Sequence, residues 1–520
     1  MRDSKYEFAS AMRSGLGLSN MSDKTLFQLS YPLLLNAMVG MVVTLVDTMI
    51  ISAYSEDAAA AVSIANQILL VAFDLSAIFA TGAVVMISQR LGSGDLTEAM
   101  RTAQIAILGN AVVSLLLGVF ILLLSGSFVA LINCPIEIVA DATVYLRVGG
   151  FTILFNGVMM AATAILRGYG ETRTILFLGL GAYALYLVSE YLLIFGFGPI
   201  PELGVFGSAL ATLLVRVVAV VVLMSVLIRR LWHNDISDSE TGSICHSGSP
   251  ESWSGRVVMA TELNIRDKLN PSFLSAKIRS YWKRGNYVSR QETGADPEAY
   301  TSVGRLRALF NLSWPSAIDN LAYGFYQMIL VSFIAQYNVA MLLSRTFTLS
   351  LSAVLTVVLM SISQANEVIV GYRYGADRER TLNGCLVRST ITSTLLTSSL
   401  AFMIYWFSQP LIGLFTDDWQ IHEFARQLLW ITIFVQPFSC ANTILFHSLR
   451  AVGDVFVPVA GTQIMMWGLS VPLAYLLAVH WHLGVIGLWY VLLMEEVLKA
   501  LFLLIRWHYG AMRVAEFRSS

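Results

Sequence analysis

The chain has 520 residues, of which 56% are hydrophobic and only 13% are charged. Because soluble proteins carry about 25% charged residues, this composition excludes a soluble multidomain protein and a disordered one. The formal net charge of -1 provides no global basic field, which argues against a nucleic-acid-binding protein. The composition indicates an integral membrane protein.

Hydropathy predicts twelve apolar segments that are long enough to cross a bilayer as helices. Most of them exceed about twenty residues and lack the alternation of barrel strands, so the predicted fold class is all-α integral membrane. The predicted spans lie near residues 26–52, 59–88, 102–125, 143–166, 174–197, 205–228, 309–335, 341–370, 386–414, 425–448, 456–479 and 484–506.

Lysine and arginine are distributed unequally between the two sides of these spans. The N-terminus, the even-numbered loops and the C-terminus together hold most of the 33 basic residues. The positive-inside rule therefore predicts that both termini are cytoplasmic, in a multi-pass protein of the cytoplasmic (inner) membrane. The first apolar run continues as a span, so we expect no cleaved signal peptide. The opposite side is acidic, with Glu56, Asp57, Glu137, Glu202, Asp417 and Asp418.

The two halves of the sequence repeat at a nearly constant offset. Because six helices are followed by six more in the same orientation, the pattern predicts two six-helix bundles related by a parallel repeat. Such an architecture is typical of transporters, with a binding site near the membrane midplane between the halves. At an offset of 283, residues 29–32 (LSYP) match 312–315 (LSWP), 92–95 (GSGD) match 375–377 (GAD), and 166–170 (LRGYG) match 449–453 (LRAVG). Residues 204–207 (GVFG) match 484–487 (GVIG) at an offset of 280.

The repeat sets the predicted organisation of the chain. The segment 231–305 has no counterpart in the repeat and is polar, which predicts a largely irregular cytoplasmic loop. Residues 272–284 within it are compatible with a short basic amphipathic helix on the inner leaflet. The predicted parts are the cytoplasmic N-terminus 1–25, the N-terminal bundle 26–230, the loop 231–305, the C-terminal bundle 306–508 and the cytoplasmic C-terminus 509–520.

Ionisable side chains inside spans are candidates for function, because burying them is costly. Asp47 in helix 1 has no basic residue near it in its own span, and Glu190 in helix 5 is similar. A carboxyl group without a cationic partner can take up a proton, which suits a proton relay or a cation site. The alternative is a structural acid that holds a neighbouring helix by a hydrogen bond. Tyr186 lies one helical turn before Glu190 on the same face and is placed to donate such a bond.

Three further acids lie in the C-terminal spans. Asp319 is about one turn from Pro315, where it either faces an inner cavity or caps freed backbone groups. We expect Glu496 and Lys499, three residues apart on one helix face, to pair with each other. Glu495 is expected near the cytoplasmic end, in contact with solvent.

Polar residues and prolines complete the candidate site. Asn36, Asn156 and Thr212 are candidates for a hydrogen-bond network around the acids and for substrate contact, with helix–helix contacts as the alternative. Pro32 and Pro315 lie in the first helix of each half. A proline removes a helical hydrogen bond, so each is either a hinge or a fixed kink.

Signals for an enzyme are absent from the sequence. There is no HExxH, Walker or GxSxG motif, and the seven histidines do not form a ligand set. The four cysteines lie far apart and are interpreted as free thiols: Cys134, Cys245, Cys385 and Cys440. We therefore expect neither a metal site nor a cofactor, and coupling to a gradient of H+ or Na+. The expected partners are a small-molecule substrate and the bilayer, with the chain acting as a monomer.

At this point the sequence resembles a known family. The helix 1 proline followed by Val46-Asp47-Thr48, residues 166–172 (LRGYGET) and residues 204–212 (GVFGSALAT) are similar to the multidrug and toxic compound extrusion (MATE) family. The resemblance covers nearly the whole chain except 231–305. It implies two six-helix bundles facing a V-shaped cavity, alternating access, and export of organic cations or amphipathic drugs and metabolites against H+ or Na+.

The resemblance also assigns roles to individual residues. Asp47 matches the helix 1 acid that takes part in ion coupling, and Glu190 stands where the DinF-like branch has an aspartate. Thr212 matches a polar position of the same network, Asn156 matches it less closely, and Tyr186 replaces an expected asparagine. The resemblance thus favours the DinF-like branch and ion coupling through Asp47 and Glu190.

The second half lacks matching acids. Shifted by 283, Asp47 and Glu190 map to Leu330 and Leu473. The sodium-coupled branch uses acids in helices 7 and 10, but Tyr323 and Ser439 fall near those places. We therefore predict that coupling occurs in the N-terminal half and favour protons, with sodium as the alternative.

Two other functions remain open from the sequence. A lipid-linked precursor flippase of the same superfamily is disfavoured, because few basic residues lie in the spans to bind a diphosphate. A non-transporting membrane sensor or scaffold would use the 231–305 segment to recruit a partner.

Overall fold

A computed structural model describes residues 24–131, 135–197, 201–229, 301–334, 337 and 339–519, and these are almost entirely helical. Twelve long helices follow one another along this described part of the chain. A short helix, Ser408–Gly413, precedes α10. The twelve are α1 (Leu26–Tyr54), α2 (Glu56–Gly92), α3 (Leu96–Leu131), α4 (Val139–Gly168), α5 (Thr172–Phe195), α6 (Gly204–Leu227), α7 (Ser302–Ile334), α8 (Val339–Gly375), α9 (Leu382–Trp406), α10 (Trp419–Ala451), α11 (Phe456–His480) and α12 (Gly484–Ser519).

Each of the twelve predicted apolar segments overlaps one of these helices, and the ninth, 386–414, also covers the short helix Ser408–Gly413. This confirms the predicted fold class. Ten of the helices are both long enough and apolar enough to cross a membrane. The other two, α9 and α12, are more polar for different reasons. Serine and threonine make up a large part of α9, and α12 contains the charged residues Glu495, Glu496 and Lys499.

Several predicted features lie outside the described residues. They include the chain before residue 24 and nearly all of the 231–305 loop with its proposed amphipathic helix. Cys134 and Cys245 also fall there, whereas Cys385 and Cys440 are free thiols as expected.

The turn that follows α4 is repeated after α10, 283 residues later. Gly170 has a φ of 73° and its N–H donates to the Arg167 carbonyl at 2.8 Å. Gly453 has a φ of 93° and its N–H donates to the Arg450 carbonyl at 2.9 Å. Glycine suits this left-handed backbone because it has no Cβ. The internal repeat is therefore also a repeat of local structure. Two further pairs share a positive φ: Gly94 with Asp377, and Gly204 with Gly484.

Arginines mark one end of the helix bundle, which we call the basic end. An arginine lies in the last turn of each of α2, α4, α8 and α10, where a cation also interacts favourably with the helix dipole. Because successive helices run in opposite directions, the last turns of these even-numbered helices lie at the same end. The four residues are Arg90, Arg167, Arg373 and Arg450.

The two halves meet at the basic end. Of the hydrophobic clusters among the described residues, one contains side chains of both halves, including Leu33, Ile87, Leu309 and Val368. The clusters at the opposite end each belong to a single half, for example the one around Ile194. Contacts between the halves are made by α1, α2 and α3 with α7 and α8, and by α2 with α10. The molecule is therefore closed at the basic end.

Small residues allow α2 and α8 to cross at close distance within this contact. A Cβ on Gly92 would collide with the carbonyl oxygen of Tyr372, and a Cβ on Gly375 would collide with that of Gln89. One turn away, Gly371 faces the hydroxyl of Ser88. Small residues spaced four apart are a common means of close helix packing in membranes. We call Ser88, Gly92, Gly371 and Gly375 the α2–α8 crossing.

A buried ion pair also joins the halves near the crossing. Arg305 of α7 donates to both carboxylate oxygens of Glu98 in α3, at 2.9 and 2.8 Å. Both side chains are about 8% exposed, which makes this a desolvated, bidentate interaction. The pair was not expected from the sequence, because its members are 207 residues apart.

Pro32 and Pro315 are buried inside helices that continue through them. Each is in the basic-end portion of its helix, α1 or α7. The helices are not broken at these positions, so the hinge remains a prediction.

Candidate functional site

Asp47 and Glu190, on different helices, are bridged by one hydroxyl group. The Tyr186 hydroxyl lies 2.8 Å from Asp47 Oδ1 and 3.2 Å from Glu190 Oε1. The two carboxyl groups also lie close enough to interact electrostatically with each other. Since a phenol carries one proton, Tyr186 can donate to only one of them at a time. The structure thus brings together the two predicted coupling residues and one predicted network residue.

Close packing of α1 against α5 places these side chains. Both helices run from the basic end to the opposite end, and small residues alternate with larger ones along their contact. Gly40 faces the Tyr183 hydroxyl, and Gly179 faces the Asn36 side chain. Asn36 therefore lies about three turns below Asp47 along α1. Its Oδ1 atom is buried with no hydrogen-bond partner among the described residues. The structure does not bring Asn36 to the acid pair.

Helices α4 and α6 supply a second layer around the acids. Ser208 donates to Glu190 Oε1 at 3.3 Å. Thr212, one turn further along α6, and Asn66 of α2 both lie near the Tyr145 hydroxyl. Tyr145 is 5% exposed and near enough to Asp47 and Glu190 to interact electrostatically with both. Thr212 thus lies in the layer around the acids together with Tyr145, a residue that was not predicted from the sequence.

Asn156 belongs to a lower polar cluster, separate from the acid pair. Its amide nitrogen donates to Ser76 Oγ at 2.7 Å and to the Phe73 carbonyl at 3.2 Å, which ties α4 to α2. Its Oδ1 atom accepts a hydrogen bond from Arg216 of α6. The Arg216 guanidinium carbon also lies 4.2 Å from the centre of the Phe73 ring. Asn156 therefore fixes an arginine inside the N-terminal bundle.

Arg216 was missed as a site residue. In the sequence it is a single arginine within an apolar span, and it is not one of the basic residues in the predicted cytoplasmic loops. A signal was nevertheless present, since Ser208, Thr212 and Arg216 are spaced four apart and share one face of α6.

Asp74 is a second site residue that the sequence reasoning omitted. It lies in the middle of α2, is exposed, and follows Ser63 and Gln67 along an exposed stripe of that helix. A carboxylate facing lipid would be very costly. We therefore expect its exposed surface to face away from lipid.

The C-terminal bundle holds a polar network on the equivalent helices. Lys499 donates to Glu495 at 2.5 Å, and Tyr326 donates to the other oxygen of Glu495 at 2.5 Å. Asn442 donates to Glu496 at 2.9 Å. The predicted pairing of Lys499 with Glu496 is wrong, because the i,i+4 position of Glu495 aligns better with the ammonium group. Glu495 is 3% exposed, so its predicted contact with solvent is also wrong.

Asp319 occupies in α7 the position that Asn36 occupies in α1, 283 residues earlier. It accepts a hydrogen bond from Gln463 of α11 at 2.6 Å. Gln463 in turn accepts one from the Trp467 indole at 3.0 Å. The Asp319 carboxylate therefore does not cap the backbone groups freed near Pro315, which was one of its two predicted roles.

Glu367 is another buried acid that sequence reasoning missed. Arg450 donates to its two carboxylate oxygens at 2.7 and 3.0 Å, and His447 Nδ1 lies 3.5 Å from it. These residues tie α8 to α10 within the C-terminal half, which is a structural role.

The similarity to known proteins also divides the chain into two halves. The MatE family model matches residues 32–192 and 315–476, one copy in each half and together more than half of the chain. The chain belongs to the MatE, or MATE, family. Both matches begin at the repeated proline, which confirms the repeat found in the sequence.

Relatives of this MATE protein align along most of its length. It is 28% identical over 500 residues to the uncharacterized transporter YisQ of Bacillus subtilis, covering 96% of this chain and 97% of the relative. It is 24% identical over 483 residues to the probable multidrug resistance protein NorM of Thermotoga maritima, covering 92% and 90%. The names of these relatives, a transporter and a probable multidrug resistance protein, support efflux transport as the function of the family.

Solved structures share the fold. An outward-facing multidrug resistance MATE family transporter of the MOP superfamily superposes with a TM-score of 0.72 at 18% identity, covering 95% of this chain and 96% of that one. A variant of the Vibrio cholerae MATE transporter VcmN gives a TM-score of 0.73 at 17% identity, covering 95% and 97%. The two-bundle architecture of this multi-pass membrane protein is therefore that of MATE transporters.

Proposed function

We propose that this MATE protein is a monomeric, proton-coupled exporter of organic cations and amphipathic drugs or metabolites in the inner membrane. The observation that carries the proposal is the contact among Asp47, Tyr186 and Glu190. Two adjacent carboxyl groups in a bilayer-spanning bundle repel each other when both are ionised, and a shared proton relieves that repulsion. The coupling ion is therefore H+, as in the DinF-like branch that the sequence resembles, and no resident cofactor is required.

Charge at the acid pair controls the affinity for a cation. When Asp47 and Glu190 are deprotonated, the N-terminal bundle presents a negative site that attracts an organic cation. When they bind protons, this attraction is lost, and the contact through Tyr186 rearranges. Since α1 carries both Asp47 and Pro32, a change in its packing at one end is transmitted to its other end through the proline.

Closure of the basic end is consistent with the state in which the acid pair takes up protons. With the positive-inside orientation, the basic end is cytoplasmic, and closure there corresponds to the outward-facing state. In this state the acid pair takes up protons from outside and substrate leaves. The return to the inward-facing state releases protons to the cytoplasm, which completes an antiport cycle.

Transport in proteoliposomes tests the proposal. We expect an imposed proton gradient to drive ethidium movement by the wild type, and a sodium gradient alone to drive none. Asp47→Asn and Glu190→Gln are expected to abolish proton-driven transport while the protein stays folded. Asp57→Asn is the matched control, because Asp57 is an exposed acid in the first turn of α2.

Two results would contradict the proposal. Full proton-driven transport by Asp47→Asn would remove the acid pair from the mechanism. Sodium-driven transport that is lost in the same variants would retain the site but replace the coupling ion.

A further inference from the structure

Among the residues that the structure describes, Arg216 is a fixed positive charge inside the N-terminal bundle without an acidic partner. Its guanidinium donates a hydrogen bond to Asn156 and stacks on the Phe73 ring. Four other bases buried in described helices have a carboxylate within hydrogen-bond distance: Arg305, Arg450, Lys499 and Arg506. Arg216 therefore differs from these four bases. Among the described residues, Arg167 and Arg345 also have no carboxylate within hydrogen-bond distance.

The guanidinium points into the bundle and not toward lipid. The exposed apolar residues of α6 include Leu214, Val218 and Val221, which form its outer face. Arg216 lies on the opposite face with Ser208 and Thr212, and it is partly exposed. This exposed part therefore opens to space within the bundle.

The acid pair and Arg216 lie at different depths of the same bundle. Ser208, which contacts Glu190, precedes Arg216 by eight residues on α6, or about 12 Å along the helix axis. Tyr145 and Tyr186 lie between the two levels and are close enough to Arg216 to interact electrostatically with it. The interior of the N-terminal half thus carries negative charge at one level and positive charge at the next.

An unpaired guanidinium in a membrane-spanning helix is a binding group for an oxyanion. Its planar fork matches a carboxylate, and the single bond to Asn156 together with the Phe73 ring fixes its orientation while other N–H groups remain as donors. Desolvating a charge without a partner is costly, and an anionic ligand would offset that cost.

We infer that Arg216 binds a carboxylate of the transported molecule, so that the preferred substrates are amphipathic zwitterions. This inference rests on the proposed function for the cationic part of the substrate, which interacts with Asp47 and Glu190. The cation of the substrate lies at the acid pair, and its carboxylate lies deeper, at Arg216.

Two dyes that differ in one ester group provide the test. Rhodamine 6G is a cationic ethyl ester, and rhodamine 19 is its free acid, with the same chromophore and an added carboxylate. Binding of each dye to the purified full-length protein is measured by fluorescence anisotropy in the absence of any ion gradient. We expect the wild type to bind rhodamine 19 at least about tenfold more tightly than Arg216→Gln does, as for loss of a hydrogen bond to a charged group.

Matched variants distinguish recognition of the carboxylate by Arg216 from a structural role of Arg216. Rhodamine 6G binding is expected to change by less than about twofold in Arg216→Gln, because the ester presents no charge to the guanidinium. Arg216→Lys retains the charge but not the fork, and we expect it to recover part of the affinity for rhodamine 19. Arg147→Gln is the control, since Arg147 is an exposed arginine of the same bundle that bonds to Ser125.

Three results of the binding experiment would overturn the inference. Equal loss of both dyes in Arg216→Gln would assign Arg216 a structural role through Asn156 and Phe73. Equal affinity of wild type and Arg216→Gln for rhodamine 19, or no binding of that dye by the wild type, would exclude carboxylate recognition. Failure of proton-driven transport would instead contradict the proposed coupling and leave the difference in dye binding unchanged.

Discussion

Gly92 of α2 and Gly375 of α8 make the same contact with each other's helix. Gly92 packs on the carbonyl of Tyr372, and Gly375 packs on the carbonyl of Gln89. Gly92 and Gly375 are separated by 283 positions in the sequence, and so are Gln89 and Tyr372. The internal repeat therefore maps each of these two contacts onto the other. The pseudo-two-fold axis that relates the halves therefore passes through the α2–α8 crossing.

Adding a methyl group at this crossing is expected to destabilise the protein. In Gly375→Ala the new Cβ meets backbone atoms of α2, which cannot rotate away as a side chain could. Overpacking of this kind costs about 1–3 kcal/mol. A lower apparent Tm of the purified protein would be the measured result. Gly324→Ala is the control, because a Cβ added at Gly324 would meet no other described atom within 4 Å, and an equal fall in Tm there would contradict the explanation.

A disulfide across the crossing is expected to hold the basic end closed. A Cβ on Gly371 would lie 3.2 Å from Ser88 Cβ, close to the range of about 3.5–4.5 Å found in disulfides. In a background with the native cysteines replaced, Ser88→Cys/Gly371→Cys should lose transport on oxidation and regain it on reduction. Each single cysteine variant should transport under both conditions. Transport by the fully cross-linked protein would show that the crossing stays closed throughout the cycle.

The Glu98–Arg305 ion pair predicts a non-additive effect on stability. Removal of Glu98 leaves the buried Arg305 unpaired, and removal of Arg305 leaves Glu98 with only its exposed partner Arg101, so we expect each change to cost up to about 3–5 kcal/mol. We expect Glu98→Ala and Arg305→Ala each to lower the apparent Tm more than Arg101→Ala, because the Arg101 side chain is 54% exposed. The double variant Glu98→Ala/Arg305→Ala should be less destabilised than the sum of the two single variants. Simple additivity would show that the two side chains do not act as a pair.

Removing one hydroxyl from the acid pair should impair transport without unfolding the bundle. Tyr186→Phe keeps the ring but deletes the group that contacts both Asp47 and Glu190. Hydrogen bonds to charged groups are worth about 1.5–3 kcal/mol, so a fall of about tenfold or more in the proton-driven rate is expected. Tyr191→Phe is the control, since Tyr191 is 55% exposed. A wild-type rate in Tyr186→Phe would mean that the acids act without the bridge.

The sequence predicted those features that depend on residues near each other or on a regular period. The twelve helices, the repeat and the proximity of Tyr186 to Glu190 follow from apolar runs and helical spacing. Ion coupling through Asp47 and Glu190 was predicted because both are acids without a basic partner in the same half, and the resemblance to the MATE family supported it. That one hydroxyl group, that of Tyr186, lies beside both acids was not predicted.

What the sequence did not predict depends on contacts between distant segments. Glu98 pairs with Arg305 over 207 positions, and Glu367 pairs with Arg450 over 83. Hydropathy shows each of these as an isolated charge. Arg216 was missed for a related reason, because its partners Asn156 and Phe73 lie on other helices. Asn36 was placed in the acid network because of its residue type, although its position on α1, about three turns before Asp47, already separates it from the acid pair.

The separate hydrophobic clusters at the end opposite the basic end bear on how the chain is made. Because each half has an even number of crossings, the chain returns to its starting side, and the second half enters the bilayer in the same sense as the first. Each half also contains its own tightly packed residues, such as those around Ile194 and around Tyr326. Two separately translated pieces, cut between residues 229 and 301, should therefore insert on their own and then associate through the α2–α8 crossing and the Glu98–Arg305 pair, as an ancestral dimer of six-helix subunits would have done.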